Sequence, residues 1–597
     1  MKFKFKMPRY YFIKSAIEIF SILSSNRKFQ IGLLFLSMLM NSISEIFLLG
    51  SVIPFISIIS NPNKFLDDPF IKNYFNYSDS LEFSVILKQF LFIFVFVVLI
   101  ATVIKIINIW LIEKVSAKIG SDLSCQLYKR SIYSSYQSHL NQNSSKLISN
   151  LTVQIDRTIK ACKSFFKMCT SLIVGTVILF TLIYVDKNIA LSILLILSVT
   201  YFLIGYLVSN QIKANSKDIY LSSKARIKVL QESLGGIRDI ILSSRQKLFI
   251  NFFRKRDITF FNLQANNSFL SRFPRALLQG VSLILISLLT AFFTLKREQN
   301  GSIIALLGAF AIGIQRMVPH FQQVYLSWAK LGDFSEDIKV VVLSIKQPIE
   351  ITKKPSEKLL KFEKISLINV YFKYSNDQDY VLKKINLEIK KGQKIGFIGT
   401  TGSGKSTTID IIMGLLRPNK GKVLINNQDI FDKKNEQLLI NWRRSIAHVP
   451  QNIFLADSSI AENIAFGEKV NHINMEKIEI ACKKVHIHDF IKKLLQGYNS
   501  FVGERGVQLS GGQLQRLGIA RALYRDTRIL VFDEATSALD VKTEQEIINN
   551  INDISEEKLL IMISHRYSTL KNCDYIFKID KGSLIEEGVP SKMLGNL

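Results

Sequence analysis

The fold of the second half of the chain is decided by the run Gly399-Thr400-Thr401-Gly402-Ser403-Gly404-Lys405-Ser406-Thr407. It follows the apolar stretch KIGFIG, which predicts a buried strand, and it opens a segment that we expect to be helical as far as Leu416. The run matches the pattern G-x-x-x-x-G-K-[ST], in which glycines let consecutive backbone N–H groups turn toward a phosphate. Lys405 adds a positive charge at the β- and γ-phosphates, and the Ser406 hydroxyl can coordinate Mg2+. The sequence therefore predicts a nucleotide-binding loop between a strand and a helix.

A second apolar run, at 529–532, ends in the two acids Asp533 and Glu534. A strand this apolar belongs inside a sheet, so Asp533 is expected at the carboxyl edge beside the phosphate loop. There it can hold Mg2+ through water, and Glu534 can polarise an attacking water. The alternative, two solvated acids after a strand, is disfavoured because the phosphate loop is present in the same chain.

Short β-type runs alternate with helical segments after residue 364, which predicts an α/β domain over 364–597. A polar, Lys-rich stretch with Pro355 precedes it, and we place a linker at 336–363. At 597 residues the chain is long enough for two or more domains.

The composition combines 48% hydrophobic residues and a mean hydropathy of +0.20 with a formal charge of +29. Such apolar content excludes a disordered chain. Most of the positive excess lies before residue 350, where the longest apolar runs also occur, so we expect no nucleic-acid partner. The five cysteines lack metal-ligand spacing and indicate neither a zinc site nor a disulfide framework.

The first half predicts an all-α transmembrane domain over 29–335, in contact with the lipid bilayer. Residues 1–28 have nearly helical apolar spacing broken by charges, which predicts an amphipathic helix on the membrane surface. The long basic stretches 113–167 and 210–275 predict that both termini are cytoplasmic. Their apolar spacing predicts that the helices continue into the cytosol. Six segments approach or exceed the length that a bilayer requires: 31–60, 83–112, 168–185, 189–209, 276–295 and 302–319.

The run Leu509-Ser510-Gly511-Gly512-Gln513 resembles the signature sequence of ABC ATPases. The other motifs of that family follow in its usual order: Tyr374, the phosphate loop, Gln451 in VPQ, Asp533-Glu534, Ser537-Ala538-Leu539-Asp540 and His565. The resemblance implies two ATP molecules between two such domains, each held by the loop 399–407 of one domain and by Ser510 and Gly512 of the other, with Gly511, Gln513 and Asp540 among the nucleotide-binding residues.

Individual roles follow from the same resemblance. Tyr374 stacks on adenine, Gln451 senses Mg2+ and the cargo, Glu534 is the general base and His565 contacts the γ-phosphate. Physical chemistry agrees, since aromatic faces stack on bases and a neutral imidazole can donate toward phosphate. An ordinary edge-strand aromatic remains the alternative for Tyr374. Mg2+ ligands are expected at Ser406, Gln451 and Asp533.

Membrane spans ahead of the ATPase, the run Val502-Gly503-Glu504-Arg505-Gly506 and SSIAENIAFG at 458–467 resemble ABC exporters. The resemblance implies a half-transporter that acts as a homodimer in the bacterial cytoplasmic membrane, with its ATPase domain in the cytoplasm. It also implies short coupling helices, which we place near 139–148 and 232–240. A heterodimer stays open.

The substrate is indicated only by weaker stretches. The sequence around Glu45 and Pro54, FPRALLQG at 273–280 and RMVP at 316–319 resemble bacterial flippases for lipid-linked oligosaccharides and related polysaccharide exporters. We therefore expect ATP-driven outward movement of an amphipathic, lipid-linked substrate, with anionic head groups received by Lys105, Arg272, Arg275 and Arg316. Drugs, lipid A-type lipids, peptides and an ABC-type channel remain alternatives. The lack of an N-terminal peptidase domain weighs against peptides. Glu45, Lys105 and Arg316 interrupt spans, so each is expected to face a cavity or a partner, with snorkelling near a helix end or pairing between subunits as the alternative.

Overall fold

The computed structural model describes residues 17–60, 83–141, 144–295, 302–347, 349–350, 360–375, 377–503, 506–535, 540–554, 558–564 and 566–594. The chain divides into two compact units. The first comprises Met1–Tyr133 and Gln142–Pro348, and the second comprises Ser134–Asn141 and Ile349–Leu597.

In the described part of the first 350 residues every regular element is a helix, and short turns connect them. Residues 17–22 are helical. A π-helical turn lies at Asn150–Gln154. The helices, in chain order, are α1 Ser25–Ser60, α2 Phe83–Ile132, α3 Tyr136–Asn141, α4 Ser144–Ser149, α5 Ile155–Val185, α6 Lys187–Gly235, α7 Ile237–Leu242, α8 Gln246–Leu295, α9 Ser302–Asp333 and α10 Ser335–Ile345.

The remainder of the second unit alternates strands and helices. Its strands are β1 Lys364–Phe372, β2 Leu382–Lys390, β3 Lys394–Ile398, β4 Lys420–Ile425, β5 Gln428–Asp429, β6 Ile446–Val449, β7 Ile529–Asp533, β8 Leu559–Ile563, β9 Tyr575–Asp580 and β10 Ser583–Gly588. Its helices are α11 Lys405–Ile412, α12 Glu436–Arg444, α13 Ile460–Ile464, α14 Met475–Lys484, α15 His488–Lys492, α16 Gly511–Tyr524, α17 Val541–Ile554, α18 Tyr567–Leu570 and α19 Pro590–Leu594.

Two sheets organise the second unit. One is antiparallel with strand order β2-β1-β4-β5, and the other has the order β10-β9-β3-β8-β7-β6. In the larger sheet β3 pairs in parallel with β8 and β9, and β7 pairs in parallel with β6 and β8. Leu530 and Phe532 of β7 belong to one hydrophobic cluster while Ile529 and Val531 belong to another. Both faces of the strand are therefore buried, which explains its unbroken apolar sequence.

The helix after the phosphate loop is shorter than expected. α11 ends at Ile412 rather than near Leu416. Gly414 has φ of +73°, and Leu415 N–H turns back to the carbonyl of Asp410 at 2.8 Å. Glycine in the left-handed region ends helices because it adopts this conformation without a Cβ penalty. The apolar residues beyond it continue into the core without continuing the helix.

Five helical segments of the described chain are long and apolar enough to cross a membrane: Ser25–Val52, Leu87–Ile132, Lys146–Val185, Lys187–Gly235 and Gln246–Leu288. The predicted stretch 302–319 lies on α9 and is not among them, so the count of six is not confirmed. Many large apolar side chains of these helices are exposed on the unit, such as Phe92, Phe202 and Leu207 at 73 to 74%. A lipid solvent accounts for this exposure.

The connection between the third and fourth predicted spans is a single residue. α5 ends at Val185 and α6 begins at Lys187. Asp186 alone separates them, and its carboxylate accepts hydrogen bonds from the backbone N–H groups of Asn188 (2.9 Å) and Ile189 (3.0 Å). This carboxylate cap satisfies donors that the first turn of α6 would otherwise leave open.

Two of the charges predicted within spans are partners of each other. Arg316 Nη1 of α9 lies 2.8 Å from Glu45 Oε2 of α1, and Glu45 is buried with 5% exposure. The expectation that Arg316 receives a head group is thereby weakened, because its charge is already balanced. Lys105 is exposed on α2.

A buried polar cluster joins α5 to the end of α9 and to α10. Arg157 Nε lies 2.7 Å from Asp337 Oδ2, and its Nη2 lies 3.3 Å from Asp333 Oδ2. Asp333 also accepts hydrogen bonds from Asn267 of α8 and, at its carbonyl, from Ser216 of α6. Burial raises the pKa of Asp337 to about 6, and the Arg157 charge opposes this shift. Five helices thus meet at one ion pair network.

We expect Arg157→Ala to destabilise the protein strongly, because it leaves Asp337 buried at 1% exposure without its counter-ion. Losing one partner of a buried pair costs about 3 to 5 kcal/mol. The measurement is the apparent melting temperature of the detergent-solubilised full-length protein. Lys160→Ala on the same helix is the control, since Lys160 and Asp156 form an exposed i,i+4 pair and its loss costs about 0.5 kcal/mol or less. Equal shifts in both variants would contradict this role of Arg157.

Candidate functional site

The predicted phosphate loop connects β3 to α11 and depends on its glycines. Gly399, Gly402 and Gly404 have φ values of +148°, +80° and +106°. A Cβ on Gly399 would lie 2.0 Å from the carbonyl oxygen of Ile579, a collision with backbone that no rotamer change relieves. The loop therefore packs against β9 so closely that only glycine fits at its start.

The side chain of Lys405 lies inside the loop and contacts its backbone. Its Nζ donates hydrogen bonds to the carbonyl oxygens of Gly399 and Thr400, both at 2.9 Å, and the residue is 6% exposed. Burial lowers the pKa of this ammonium, while the nearby charges of Glu534 and Asp533 raise it. The arrangement places a cation at the centre of the loop, next to the first backbone N–H groups of α11.

The donors of the loop fit an anion. Ser403 is buried, and its Oγ has no hydrogen-bond partner among the described residues. Thr400 Oγ1 donates to Asp580 Oδ1 at 3.2 Å, and the Gly582 N–H donates to the Ser403 carbonyl at 2.9 Å. These contacts anchor both sides of the turn to the end of β9, while the partnerless Ser403 hydroxyl, Lys405 and the helix N-terminus remain for a phosphate.

Asp533 lies at the end of β7, as the sequence predicts. Burial raises the pKa of its carboxyl, and the charge of Glu534 adds to this, whereas a hydrogen bond from Ser406 and the charge of Lys405 lower it. A serine hydroxyl and a carboxylate in contact are oxygen ligands of the kind that Mg2+ prefers.

Gln451 and Glu534 are brought together from separate strands. Gln451 Nε2 donates to Glu534 Oε2 at 2.7 Å. Glu534 has φ of +50°, in the left-handed region, and its N–H donates to the carbonyl of Ile563 on β8 at 3.1 Å. A non-glycine residue in this conformation carries strain on the order of 1 to 3 kcal/mol, a cost that concentrates at functional sites.

Tyr374 connects the loop to helix α3. Its hydroxyl lies 3.0 Å from Thr407 Oγ1, and its backbone carbonyl accepts a hydrogen bond from Gln137 Nε2 at 3.1 Å. α3, at Tyr136–Asn141, belongs to the same compact unit as Tyr374. The stretch 139–148, where a coupling helix is expected, includes the end of α3 and most of α4. The stretch 232–240, where the other is expected, includes the end of α6 and the first residues of α7, Ile237–Leu242.

The signature sequence caps α16. Ser510 Oγ accepts from the Gln513 N–H at 3.3 Å, and Gln513 Oε1 accepts from the Ser510 N–H at 2.9 Å. This capping box leaves Ser510 and Gly511 exposed, with Gly512 partly exposed. Within the described part of the chain, no hydrogen bond joins the cap to the loop 399–407.

Asp540 caps α17, since its Oδ2 accepts from the Thr543 N–H at 3.0 Å, and this hydrogen bond lowers the pKa of its carboxyl. Ser537, Ala538, Leu539, His565, Glu504 and Arg505 lie outside the described residues. Glu544 was not singled out from the sequence. It is 1% exposed and accepts hydrogen bonds from Arg566 and Thr569, which follow His565 in the chain. Its signal is an acid on the buried face of an amphipathic helix.

Asp410 is a second residue that the sequence analysis did not single out. It lies on α11, and burial together with the charge of Asp533 raises the pKa of its carboxyl to about 6. Burial and the charges of Asp410 and Tyr374 also raise the pKa of Tyr136 on α3. Asp410 is therefore a buried acid whose charge interacts with Asp533 on one side and with Tyr136 of α3 on the other.

Comparisons with known proteins agree with this geometry. An ABC transporter family model matches residues 382–537, and a model of the ABC transporter transmembrane region matches residues 29–314. The chain resembles a bacterial Atm1-family ABC exporter with ATP bound, with a TM-score of 0.79 at 20% identity over 95% of this chain and 96% of that chain. At this identity the likeness shows a shared fold. It confirms the expected fold class of a helical membrane domain followed by an α/β ATPase domain.

Curated relatives are similar over part of the chain. A leukotoxin translocation ATP-binding protein of Mannheimia glucosida is 40% identical over 282 residues, which cover 46% of this chain and 39% of that protein. A leukotoxin export ATP-binding protein of Aggregatibacter actinomycetemcomitans is 41% identical over 276 residues, covering 46% and 36%. The chain therefore matches less than half of the length of these relatives.

Asp410→Asn should stabilise the protein at pH 8 and leave it nearly unchanged at pH 4. A carboxyl whose pKa is raised in the folded state favours folding below its ordinary pKa near 4 and loses that contribution as the pH rises through about 6. The amide removes this loss, which we expect to be about 1 to 2 kcal/mol after solvent screening. The measurement is the apparent melting temperature of the full-length protein at both pH values. Asp379→Asn, an exposed acid of the same unit, should give a small, pH-independent difference. A melting temperature lowered at pH 8 by Asp410→Asn would contradict the buried-acid interpretation.

Proposed function

We propose that this chain, which belongs to the ABC transporter family as a half-transporter of the exporter type, moves an amphipathic, lipid-linked substrate outward across the bacterial cytoplasmic membrane. ATP hydrolysis drives the movement. The observation that carries the ATPase part is the convergence of the glycine loop, Lys405, Asp533 and the Gln451–Glu534 pair at the carboxyl ends of β3 and β7.

Binding of ATP uses the loop 399–407. Lys405 and the N–H groups of the loop bind the phosphates, and Tyr374 provides an aromatic face for adenine. Ser406, Asp533 and Gln451 would hold Mg2+, which neutralises phosphate charge when bound. Lys405 presently donates to the carbonyls of Gly399 and Thr400. These donations keep the ammonium positioned in the loop, ready to turn toward phosphate oxygens.

Glu534 acts as the general base. Its carboxylate accepts the proton of the attacking water, while the Gln451 amide, 2.7 Å away, holds the carboxylate in place and orients the water. His565 is expected to contact the γ-phosphate, and the Glu544–Arg566 pair anchors the residue that follows it.

A complete site requires a second chain. Ser510 and Gly511 are exposed at the start of α16, where Ser510, Gly511, Gly512 and Gln513 can approach the nucleotide bound to a partner's loop. Both sets of motifs are present in this one sequence, so two identical chains can form two equal sites, which favours a homodimer.

Helix α3 would connect transport to hydrolysis. Gln137 holds the carbonyl of Tyr374, whose hydroxyl contacts Thr407 in the phosphate loop. A displacement of α3 therefore reaches the nucleotide through two hydrogen bonds. In the orientation expected from the positive-inside rule, α3, both termini and the ATPase domain are cytoplasmic.

Two substrate classes have support. A lipid-linked amphiphile is favoured by the resemblance of the sequence around Glu45, at 273–280 and at 316–319 to lipid-linked oligosaccharide flippases, and by the cations of the first unit. Protein export is the second candidate, favoured by the leukotoxin export proteins among the relatives. Those relatives match 46% of this chain.

Lys405→Ala and Glu534→Gln should both abolish ATP hydrolysis for different reasons. Lys405→Ala removes the cation of the phosphate loop, so ATP affinity should fall by about tenfold or more. Glu534→Gln keeps the loop and loses only the base, so ATP should bind with near-wild-type affinity and remain unhydrolysed. Equilibrium binding of labelled ATP to the full-length protein, beside the rate of phosphate release, separates the two. Equal loss of ATP affinity in both variants would contradict the assigned roles.

The substrate is tested by reconstitution into liposomes. We expect ATP-dependent movement of a labelled polyprenyl-pyrophosphate-linked sugar across the bilayer, no movement with Glu534→Gln, and little with labelled phosphatidylcholine. Gln137→Ala should slow this movement more than it slows basal hydrolysis, since it removes the shorter of the two hydrogen bonds that α3 donates to the Tyr374 carbonyl, from Gln137 at 3.1 Å and from Asn141 at 3.5 Å. Active hydrolysis without movement of any lipid on the panel would reject the lipid-linked substrate and favour protein export.

A further inference from the structure

An apolar cavity of about 360 Å³ lies in the first unit, where the helical residues 17–22 meet α1, α2, α5 and α10. Its described lining consists of isoleucine, leucine, phenylalanine and alanine side chains and of Cys162, so it offers no charge, hydroxyl or amide. Packed cores leave few voids larger than a water molecule, and sites for small ligands typically measure roughly 300 to 1,000 Å³. The cavity therefore has the size of a ligand site, and its lining selects an apolar ligand.

The cavity has a buried wall and an exposed rim. Ile119 of α2 and Ile338 of α10, which belong to the wall, are buried in a hydrophobic cluster of the unit. Ile17, Phe20 and Phe35, which form the rim, are exposed. Apolar side chains around an opening are unfavourable in water, whereas in a bilayer they contact hydrocarbon. The exposed rim thus makes the cavity accessible to a molecule that enters from the membrane.

The predicted spans place the cavity at a border of the bilayer. Ile31 is the first residue of the predicted span 31–60, and Phe166 precedes the predicted span 168–185. Ile119 lies beyond the end of the predicted span 83–112 by about 10 Å along a helix. These ends of the spans are cytoplasmic in the predicted orientation. The apolar molecules that surround the protein at this depth are the acyl chains of the cytoplasmic leaflet.

A cation lies beside the rim. The Lys28 ammonium is 5.4 Å from the centroid of the Phe20 ring, and this lysine is exposed. In the described part of the chain no carboxylate forms an ion pair with Lys28, whereas the neighbouring Arg27 pairs with Asp122. A lysine at the membrane surface attracts lipid phosphate while its stem lies along apolar groups. The position of Lys28 therefore matches the head group of a lipid whose chain lies in the cavity.

We propose that this cavity holds one acyl chain of a phospholipid of the cytoplasmic leaflet, with the phosphate of that lipid beside Lys28. The lipid is a resident ligand and is not the transported molecule, so the site does not depend on which substrate the protein moves. The chain contacts residues 17–22 and four helices of the unit at once. A ligand that binds only the folded state stabilises it, so this lipid attaches the amphipathic segment to the helices behind it.

The test is equilibrium binding of radiolabelled phosphatidylglycerol to the delipidated full-length protein in detergent. In C162F an aromatic ring occupies part of the cavity and displaces methylene groups of the chain. Each methylene that loses its burial weakens binding by about fourfold, so the affinity should fall by about tenfold or more.

C169F is the matched control, because it makes the same exchange on the same helix and Cys169 is not among the described lining residues. The site of this exchange is about 10 Å from residue 162 along the helix, so the affinity should stay within about twofold of wild type. C162A keeps the cavity open and should bind the lipid as wild type does, which shows that the thiol itself is not the ligand.

A rim variant keeps the proposal testable if C162F does not fold. I17N changes an exposed side chain and puts an amide at the opening, so it should fold normally and lose about fourfold or more in affinity. The apparent melting temperature, measured without and with added phosphatidylglycerol, reports folding and binding together. The lipid should raise it in wild type, C162A and C169F, and raise it less in C162F and I17N.

The head group is tested separately. Wild type should bind phosphatidylglycerol about fivefold more tightly than phosphatidylcholine, and K28Q should remove this preference. Equal binding of the two lipids by wild type overturns the role of Lys28. Glycerophosphoglycerol, which has the head group without chains, should not compete, and competition at equal concentration would show a site for a soluble anion and overturn the acyl-chain assignment.

Three further results would overturn the proposal. Absence of saturable lipid binding to wild type rejects the site, and unchanged affinity in both C162F and I17N, or an equal loss in C169F, rejects the cavity as its location. The third concerns turnover: the bound lipid should be retained when ATP and Mg2+ are added. Release of the lipid during hydrolysis would identify it as cargo and overturn its role as a resident ligand.

Discussion

The nucleotide-binding unit depends on one constraint, the close approach of the phosphate loop to β9. Gly399 leaves no space for a Cβ beside the Ile579 carbonyl, and this contact fixes where the loop turns out of β3. Lys405 then fills the centre of the turn by donating to two carbonyls of the loop itself. Because β3 pairs with both β8 and β9, the same constraint sets the position of β7 through β8, and with it that of Asp533 and Glu534. The acids at the carboxyl edge lie near Lys405 as a consequence of strand order.

In the first unit, the main electrostatic constraint is the burial of charged side chains. Burying an ion far from water costs several kcal/mol unless a partner compensates for it. Arg157 forms ion pairs with Asp333 and Asp337, and Arg316 forms one with Glu45. These pairs offset the cost of burial.

Features encoded in short segments could be predicted from the sequence. The phosphate loop, the capping box at Ser510 and the turn at Asp186 are each determined by neighbours within a few residues. The predicted end of α11 was wrong, because the apolar spacing of the sequence continues past Gly414. The backbone leaves the helical conformation at Gly414. The pairing of Arg316 with Glu45 and the burial of Glu544 join residues 271 and 22 to 25 positions apart. One sequence shows that such charges need partners but does not identify them.

The contact between Gln137 and Tyr374 could not be predicted from the sequence. Gln137 is an ordinary polar residue on a short helix, and its importance arises only when α3 folds with residues more than 200 positions away. Gln137 donates to the backbone carbonyl of residue 374, a group that every residue type has. The tyrosine side chain at this position therefore does not indicate the contact. The Tyr374 hydroxyl in turn contacts Thr407 within the first turn of α11. Asp410, one turn further along that helix, is the acid whose pKa is raised beside Asp533, and its charge also raises the pKa of Tyr136 on α3. Helix α3 is thus linked to the phosphate loop through Tyr374 and to the buried acid Asp410 through Tyr136, and both links lie within the second unit.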